Sequence, residues 1–484
     1  LSVQNQTTAV NTYNVAVGYL AGEDVTTGTL NTLIGGLAGD AFTTGQENTA
    51  LGYQALTADT KGKFSVAVGN NALATQNFTT ATSAFNTAVG YDTGLTLTTG
   101  QYNTLVGGLS GDAITDADFN VAMGYAALST NTVGSSSVAI GSFALNAQNP
   151  ATAASMLNVA VGHSAGAAVS TGTLNVLIGA EAGDAMTTAS SNVAVGHGAL
   201  GADDVGSDST AIGHNALGSQ NFATGASTYN VAVGYQAGYY NVTGNLNTHL
   251  GWRAGHGASG QSNSRNTSVG SLTMDAITTG GNNTAIGGAA ASDLTSGANN
   301  VYVGTYAGDS ATTGDNNTIV GYNSDLAAVD TAQVIVLGSG VTSQAANNFT
   351  FGFGSTDSNI AFGATSITAP SDERYKENIE NSTAGLSFIN DLRPVTFQWK
   401  KEKDVPSDHK AYVEGSEDRV MQSQGEINHG FIAQEVKAAI DNHAELKDGF
   451  GMWSEDPVDG RQRLGDGALI PMLVKAIQEL SAEI

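Results

Sequence analysis

His197 and His214 stand 17 residues apart, each directly after a glycine, so a fold that stacks such units sets two imidazoles side by side. Adjacent imidazoles can share a metal ion. The plainer reading is that they replace tyrosine in a column, because Tyr19, Tyr53, Tyr91, Tyr125 and Tyr235 also follow a glycine of the same phrase. A stripe of rigid, amphipathic tyrosine rings suits recognition of a glycan or other receptor, and equally suits packing between neighbouring chains of an oligomer. Acidic side chains gather at bends, as Glu23-Asp24, Asp203-Asp204 and the Gly-Asp pairs at Asp40, Asp112, Asp184 and Asp309. They read as solvated turns, and no pair stands out as the acid and nucleophile of a glycosidase. The chain has no cysteine, which removes disulfides, thiol catalysis and Cys-based zinc sites. No metal and no cofactor is expected.

The 484 residues carry 17 Lys and Arg against 43 Asp and Glu, a net charge of −26. So acidic a surface repels nucleic-acid phosphates and anionic lipid, and no run approaches the length of an apolar membrane span. Neither nucleic acid nor membrane insertion is expected. Leu1 is followed by no basic or apolar leader pattern, and an attachment segment upstream is expected. Composition changes at about residue 370: 53 of the 62 glycines but only 4 of the 17 basic residues precede it. Two different kinds of protein are joined there.

The elements that must carry these side chains are repeats. The phrase Asn-x-x-Val-Gly recurs with its glycine at Gly18, Gly35, Gly52, Gly69 and Gly90, and so on to Gly338. The steps are 17, 17, 17 and 21 residues, three times over, then 17 or 19. The residue before the glycine is apolar, the residue three before is β-branched, and the residue four before is nearly always Asn. Short β-branched runs ending in glycine are strands followed by bends. Seventeen residues cannot bury a core alone, so consecutive units must stack. The expected fold is mainly β: a parallel β-solenoid of about 19 coils with a 17-residue period, a rod of about 90 Å. In it the Asn column forms an internal ladder that satisfies backbone groups. The rod spans residues 1–340, a transition segment 341–370, and a small α+β domain ending in a helix 371–484.

The NxAVGxxA phrase over residues 1–340 resembles the head repeats of trimeric autotransporter adhesins, which implies left-handed β-rolls assembled as trimers. In the last 114 residues, AGLSFINDL and QEVKAAID read as helices, RPVTFQWK and HGFIA as strands. Ile470, Leu473, Ile477, Leu480 and Ile484 form a short heptad seam suited to self-association. The ordered pieces SDERYKENI, LRPVTFQWK, GFIAQEV and LVKAIQEL resemble the endosialidase-type intramolecular chaperone domain of phage tail fibres and tailspikes.

That resemblance implies a domain that trimerises, guides folding of a β-helical stalk and then cuts itself off with a Ser–Lys dyad. Carried onto this chain, Ser371 is the nucleophile, Lys376 its general base and Pro370–Ser371 the scissile bond. The chemistry is coherent: a lysine becomes a base when burial lowers its pKa, and a nucleophile beside the bond it attacks pays little entropy. His429 is a candidate for donating to the oxyanion or orienting the site, and Asp372 and Glu377 for positioning the dyad by ion pairing with Arg374 or Lys376. Taken alone, Ser371 instead reads as the cap of a helix with Asp372 and Glu373 in its first turn.

The resemblances together imply an extracellular viral tail fibre or tailspike. It would be a homotrimer joined to other virion tail proteins and attached to a host cell-surface glycan or receptor. A bacterial surface adhesin or filament using the same modules, and a glycan depolymerase, are the alternatives.

Overall fold

The computed structural model describes residues 11–484 apart from 365, 370, 422–425, 448–449 and 457–459. The chain divides into two compact units, Leu1–Pro370 and Ser371–Ile484. The first is a parallel β-solenoid. As far as Val320 each coil contributes one three-residue strand to the main sheet, and successive strands pair in parallel at the sequence period: Val15 opposite Thr32, Thr32 opposite Thr49, and Thr49 opposite Val66. The offset of 21 residues between Val66 and Thr87 keeps the same register, so the longer coils absorb their extra residues outside the sheet.

The repeat reading assigned 19 coils, and the sheet runs one strand further. Asn348–Phe353 adds a twentieth parallel strand, and Thr356–Ala361 folds back on it antiparallel. A hairpin with Gly354 at φ 53° makes that reversal, so the decaying phrases FTFGFG and NIAFG close the sheet edge.

Strand alternation decides what lies inside. The middle residue of each strand, Leu33, Ala50, Ala67 or Ala88, is fully buried. The β-branched and apolar residues on either side of it point outward, with Val17 57% and Leu51 43% exposed. The interior is therefore narrow and filled mostly by alanine and leucine.

Buried asparagines join each coil to the next. Asn31 donates its side-chain amide to Gly45 O at 2.9 Å, and its Oδ1 accepts the backbone N–H of Asn48 at 3.1 Å. Asn48, Asn86, Asn103 and Asn120 repeat this one coil on. Where serine breaks the column at Ser65, the following long coil supplies a replacement amide. Gln76 donates to Ser65 Oγ at 3.1 Å and to Asp59 Oδ2 at 2.7 Å, and it accepts from Asn86 at 2.9 Å. Gln220 fills the same role at Ser209, whereas Gln148 accepts both the Ser137 hydroxyl at 3.2 Å and the Asn158 amide at 3.0 Å. The serines and the 21-residue coils are thus one device.

The second unit is built around Phe388, Val436, Ile440 and Met452. Helix α1 (Leu386–Asp391) packs on helix α3 (Ile470–Glu483), and helix α2 (Ala433–Asn442) packs against the hairpin strands Trp453–Glu455 and Gln462–Leu464. Strand Val395–Phe397 pairs antiparallel with Asn428–Gly430, so the predicted HGFIA strand ends three residues early and gives way to α2. The hairpin was not foreseen from the sequence. The heptad face of α3 is exposed, with Ile470 at 62% and Ile477 at 65%. Among the described residues no helix is long and apolar enough to cross a membrane.

Two successive polar residues at buried strand centres, His249 and Ser268, interrupt the solenoid's apolar core, which runs from Val25 to Ala237 and again from Met274 to Val341. His249 places its Nδ1 2.7 Å from Ser268 Oγ. Burial disfavours the imidazolium and lowers its pKa to about 4. The unfolded imidazole titrates near 6.5, so between about pH 6.5 and 4 the unfolded chain binds a proton that the folded chain excludes. Stability falls as pH falls through that window, by about 3 kcal/mol in total. Burial raises the pKa of Asp59 and Asp203, which act in the opposite sense. The difference between parent and His249→Leu therefore isolates the imidazole. Denaturant melts at pH 7 and pH 4.5 should show His249→Leu gaining on the parent at the lower pH; an equal pH dependence would remove this role.

Candidate functional site

The segment that opens the second unit folds tightly. Asp372 is in an extended conformation and its carboxylate accepts the backbone N–H of Arg374 at 2.9 Å, which caps a single 3₁₀ turn, Glu373–Tyr375. Lys376 ends the turn, donating its N–H to Glu373 O at 3.0 Å. The chain reverses enough for Lys376 Nζ to donate to Ser371 Oγ at 2.7 Å. Asp372, not Ser371, is the capping residue, and Ser371 is left with its hydroxyl on the lysine. Arg374 returns along the chain to grip Asp372, with Nε 3.1 Å from Oδ1 and Nη2 2.6 Å from Oδ2. That guanidinium holds the Asp372 carboxyl below the usual carboxylate range. Glu377 makes none of these contacts among the described residues.

Ser371 and Lys376 are both exposed in the single chain. A lysine acts as a general base toward a serine only where burial favours its neutral amine. Pro370, and with it the bond Pro370–Ser371, lies outside the described residues. His429 lies on the strand Asn428–Gly430, opposite Thr396. It borders a groove of about 740 Å³ lined also by Phe397, Trp399, Phe431, Arg463 and Leu464. Neither Ser371 nor Lys376 lines that groove.

In the solenoid the tyrosine column is exposed as a stripe, from Tyr19 at 76% to Tyr235 at 46%. His197 stacks on His214 at 5.2 Å between ring centroids, and His214 on Tyr235 at 5.3 Å, so the histidines are members of the column. Small residues leave room between rings: a side chain at Gly36 would meet the Tyr53 ring. Reading the acidic bends as solvated fails at Asp203, which is buried, accepting from Gln220 at 2.6 Å and from the Gly206 N–H at 3.1 Å. It completes the amide network of a long coil, as Asp59 does.

A second aromatic column was missed. Phe64, Phe85, Tyr102 and Phe119 stack in one ladder with centroids 4.9 to 5.5 Å apart. Each stands five residues before the repeat glycine, a spacing visible in the sequence. Their backbone is left-handed, with φ 62°, 50°, 59° and 60°, a conformation that sequence rules assign to glycine or asparagine.

Behind the Ser–Lys turn the domain is held by charge. Glu479 of α3 accepts the Leu386 N–H at the start of α1 at 2.7 Å. His443, at the end of α2, places Nε2 2.8 Å from Asp391 Oδ2 of α1 and stands edge-on to Phe388. The Asp391 carboxylate raises the His443 pKa above its ordinary value. The resulting stability is fully present below the unfolded pKa and is lost as pH rises through the folded one. Thermal melts of residues 371–484 within the full chain should therefore show the domain losing a few degrees in Tm between pH 6 and pH 8. Asp391→Asn should flatten that trend, and a trend unchanged in the variant would exclude the pair as its origin.

No curated protein and no solved structure matches the chain as a similar protein. Residues 371–445 match the family model Peptidase_S74, chaperone of endosialidase, a self-cleaving chaperone domain, and this match begins at Ser371.

Proposed function

We propose that this protein is a trimeric viral tail fibre or tailspike whose β-solenoid contacts a host-surface glycan or receptor, and whose C-terminal domain aligns three chains, assists their folding and then severs itself at Pro370–Ser371. The observation that carries the reading is the union in one chain of a long parallel β-solenoid with a chaperone-of-endosialidase match that starts at Ser371. The 2.7 Å contact between Lys376 Nζ and Ser371 Oγ supports the chemistry.

Trimerisation explains why such a domain is needed. Near-identical coils can pair one unit out of register at little cost, and chains that must associate in parallel need a common start. It also supplies cover for Lys376: a neighbouring copy that buries the amine lowers its pKa and makes it a base. Ser371 Oγ then attacks the Pro370 carbonyl carbon while Lys376 Nζ takes the hydroxyl proton. Collapse breaks the C–N bond, Lys376 returns the proton to the Ser371 nitrogen, and the Pro370 acyl group is held as an ester on Oγ. Water hydrolyses the ester, leaving the Pro370 carboxylate and Ser371 with a free amine. Nucleophile and leaving group belong to one residue, so the site need act only once.

The outward strand face of the solenoid suits the proposed assembly. Its two positions per coil are β-branched or apolar throughout and carry no charge, in a chain of net charge −26. Intact-mass analysis of the expressed full-length chain should find fragments ending at Pro370 and starting at Ser371. Ser371→Ala and Lys376→Ala should stay uncut, with at least a hundredfold loss of rate. An uncut parent that is trimeric and stable would remove the peptidase and leave the fibre.

A further inference from the structure

Two exposed columns flank the strand face, one directly after the repeat glycine and one five residues before it. We infer that neighbouring copies of this chain pack edge to edge and in register, with the column five before the glycine on one copy lying against the column after the glycine on the next. The inference rests on the trimeric reading above and adds the surface that joins the copies.

The charge argument selects the face. Copies of net charge −26 repel one another everywhere except where charge is absent, and the outward strand positions lack it along the whole solenoid. The columns beside them expose large rings to solvent, with Phe119 58% and Tyr125 53% exposed. Contiguous apolar surface of that length on an otherwise acidic rod marks an interface.

In some coils a large residue in one column accompanies a small one in the other, as Leu30 with Gly36, Tyr102 with Gly108 and Leu174 with Ala180; in others, as Phe85 with Tyr91 and Phe119 with Tyr125, both are rings that can stack across a seam. Asp208 shares its coil with His214, which offers a carboxylate a donor. Beyond Trp252 both columns become polar or small together, as in Asn299 and Thr305, with Tyr322 the exception. Within one chain the two columns lie at opposite ends of each three-residue strand, and contact between copies can bring one against the other. A two-fold pairing would set each column against itself, whereas a head-to-tail contact sets one edge against the other and closes into a ring.

The absence of cysteine makes the test clean. Full-length chains carrying Phe119→Cys with Tyr125→Cys, or Asn299→Cys with Thr305→Cys, are treated with a bis-maleimide too short to bridge the two columns of one chain. Each double variant is expected to run as a covalent trimer on a denaturing gel. Each single variant should link at least about tenfold less, since its thiol faces no thiol. The second pair replaces exposed polar residues and guards against a folding failure of the first. Efficient linking of a single variant would mean like-with-like packing and would overturn the inference. So would a trimer, by light scattering, that neither double variant links. A monomeric parent would instead overturn the trimeric reading itself, and the seam with it.

Discussion

One buried amide per coil sets the terms on which the rest of the solenoid is built. The asparagine side chain reaches forward to a carbonyl and a backbone N–H of the next coil, so it stitches backbone to backbone across a gap that the short strands alone do not span. Each such hydrogen bond is worth about 1 kcal/mol net, and a buried amide left without partners costs more than that. The repeat can therefore vary its surface freely but not its ladder. When serine replaces asparagine at Ser65, the structure recruits Gln76 from a longer coil to keep the line of amides unbroken. The glycine column works beside it: a Cβ at Gly52 would lie 2.1 Å from Gly69 O, and only glycine at φ +144° lets the coils close up.

A core of alanine and leucine one residue wide has a consequence for the outside. The large apolar side chains of each strand have no room within and are displayed on the surface, flanked by ladders of stacked rings. The same happens at the other end of the chain, where α3 uses Ala476 to pack and leaves Ile470, Leu473 and Ile477 in solvent. Uncharged apolar faces displayed in both units of so acidic a chain are what the proposed self-association would use.

The Ser–Lys turn follows the same logic on a smaller scale. Local geometry is complete: the Asp372 cap, the Arg374 grip and the single 3₁₀ turn bring hydroxyl and amine together without help from the rest of the domain. In the assembly proposed above, low-dielectric cover from a neighbouring copy would turn the amine into a base. A pair that is formed but unmasked only on assembly would tie chemistry to correct folding.

Much of this was legible in the sequence, because a repeat states its own register. The period, the buried asparagines, the change of character near residue 370 and the helices of the second unit all follow from residue types at fixed spacing. Aligned columns could not say which side of each strand faces in, since alternation permits either and the answer depends on how much volume one coil encloses. Nor could they show that Phe85 and Tyr102 adopt a left-handed backbone, because local propensity argues against it and only stacking of coil on coil makes the conformation tolerable. The burial of Asp203 was likewise decided by residues distant in sequence. Sequence determined the periodic backbone, whose interactions recur at one spacing; tertiary packing decided what each side chain faces, which depends on neighbours no spacing encodes.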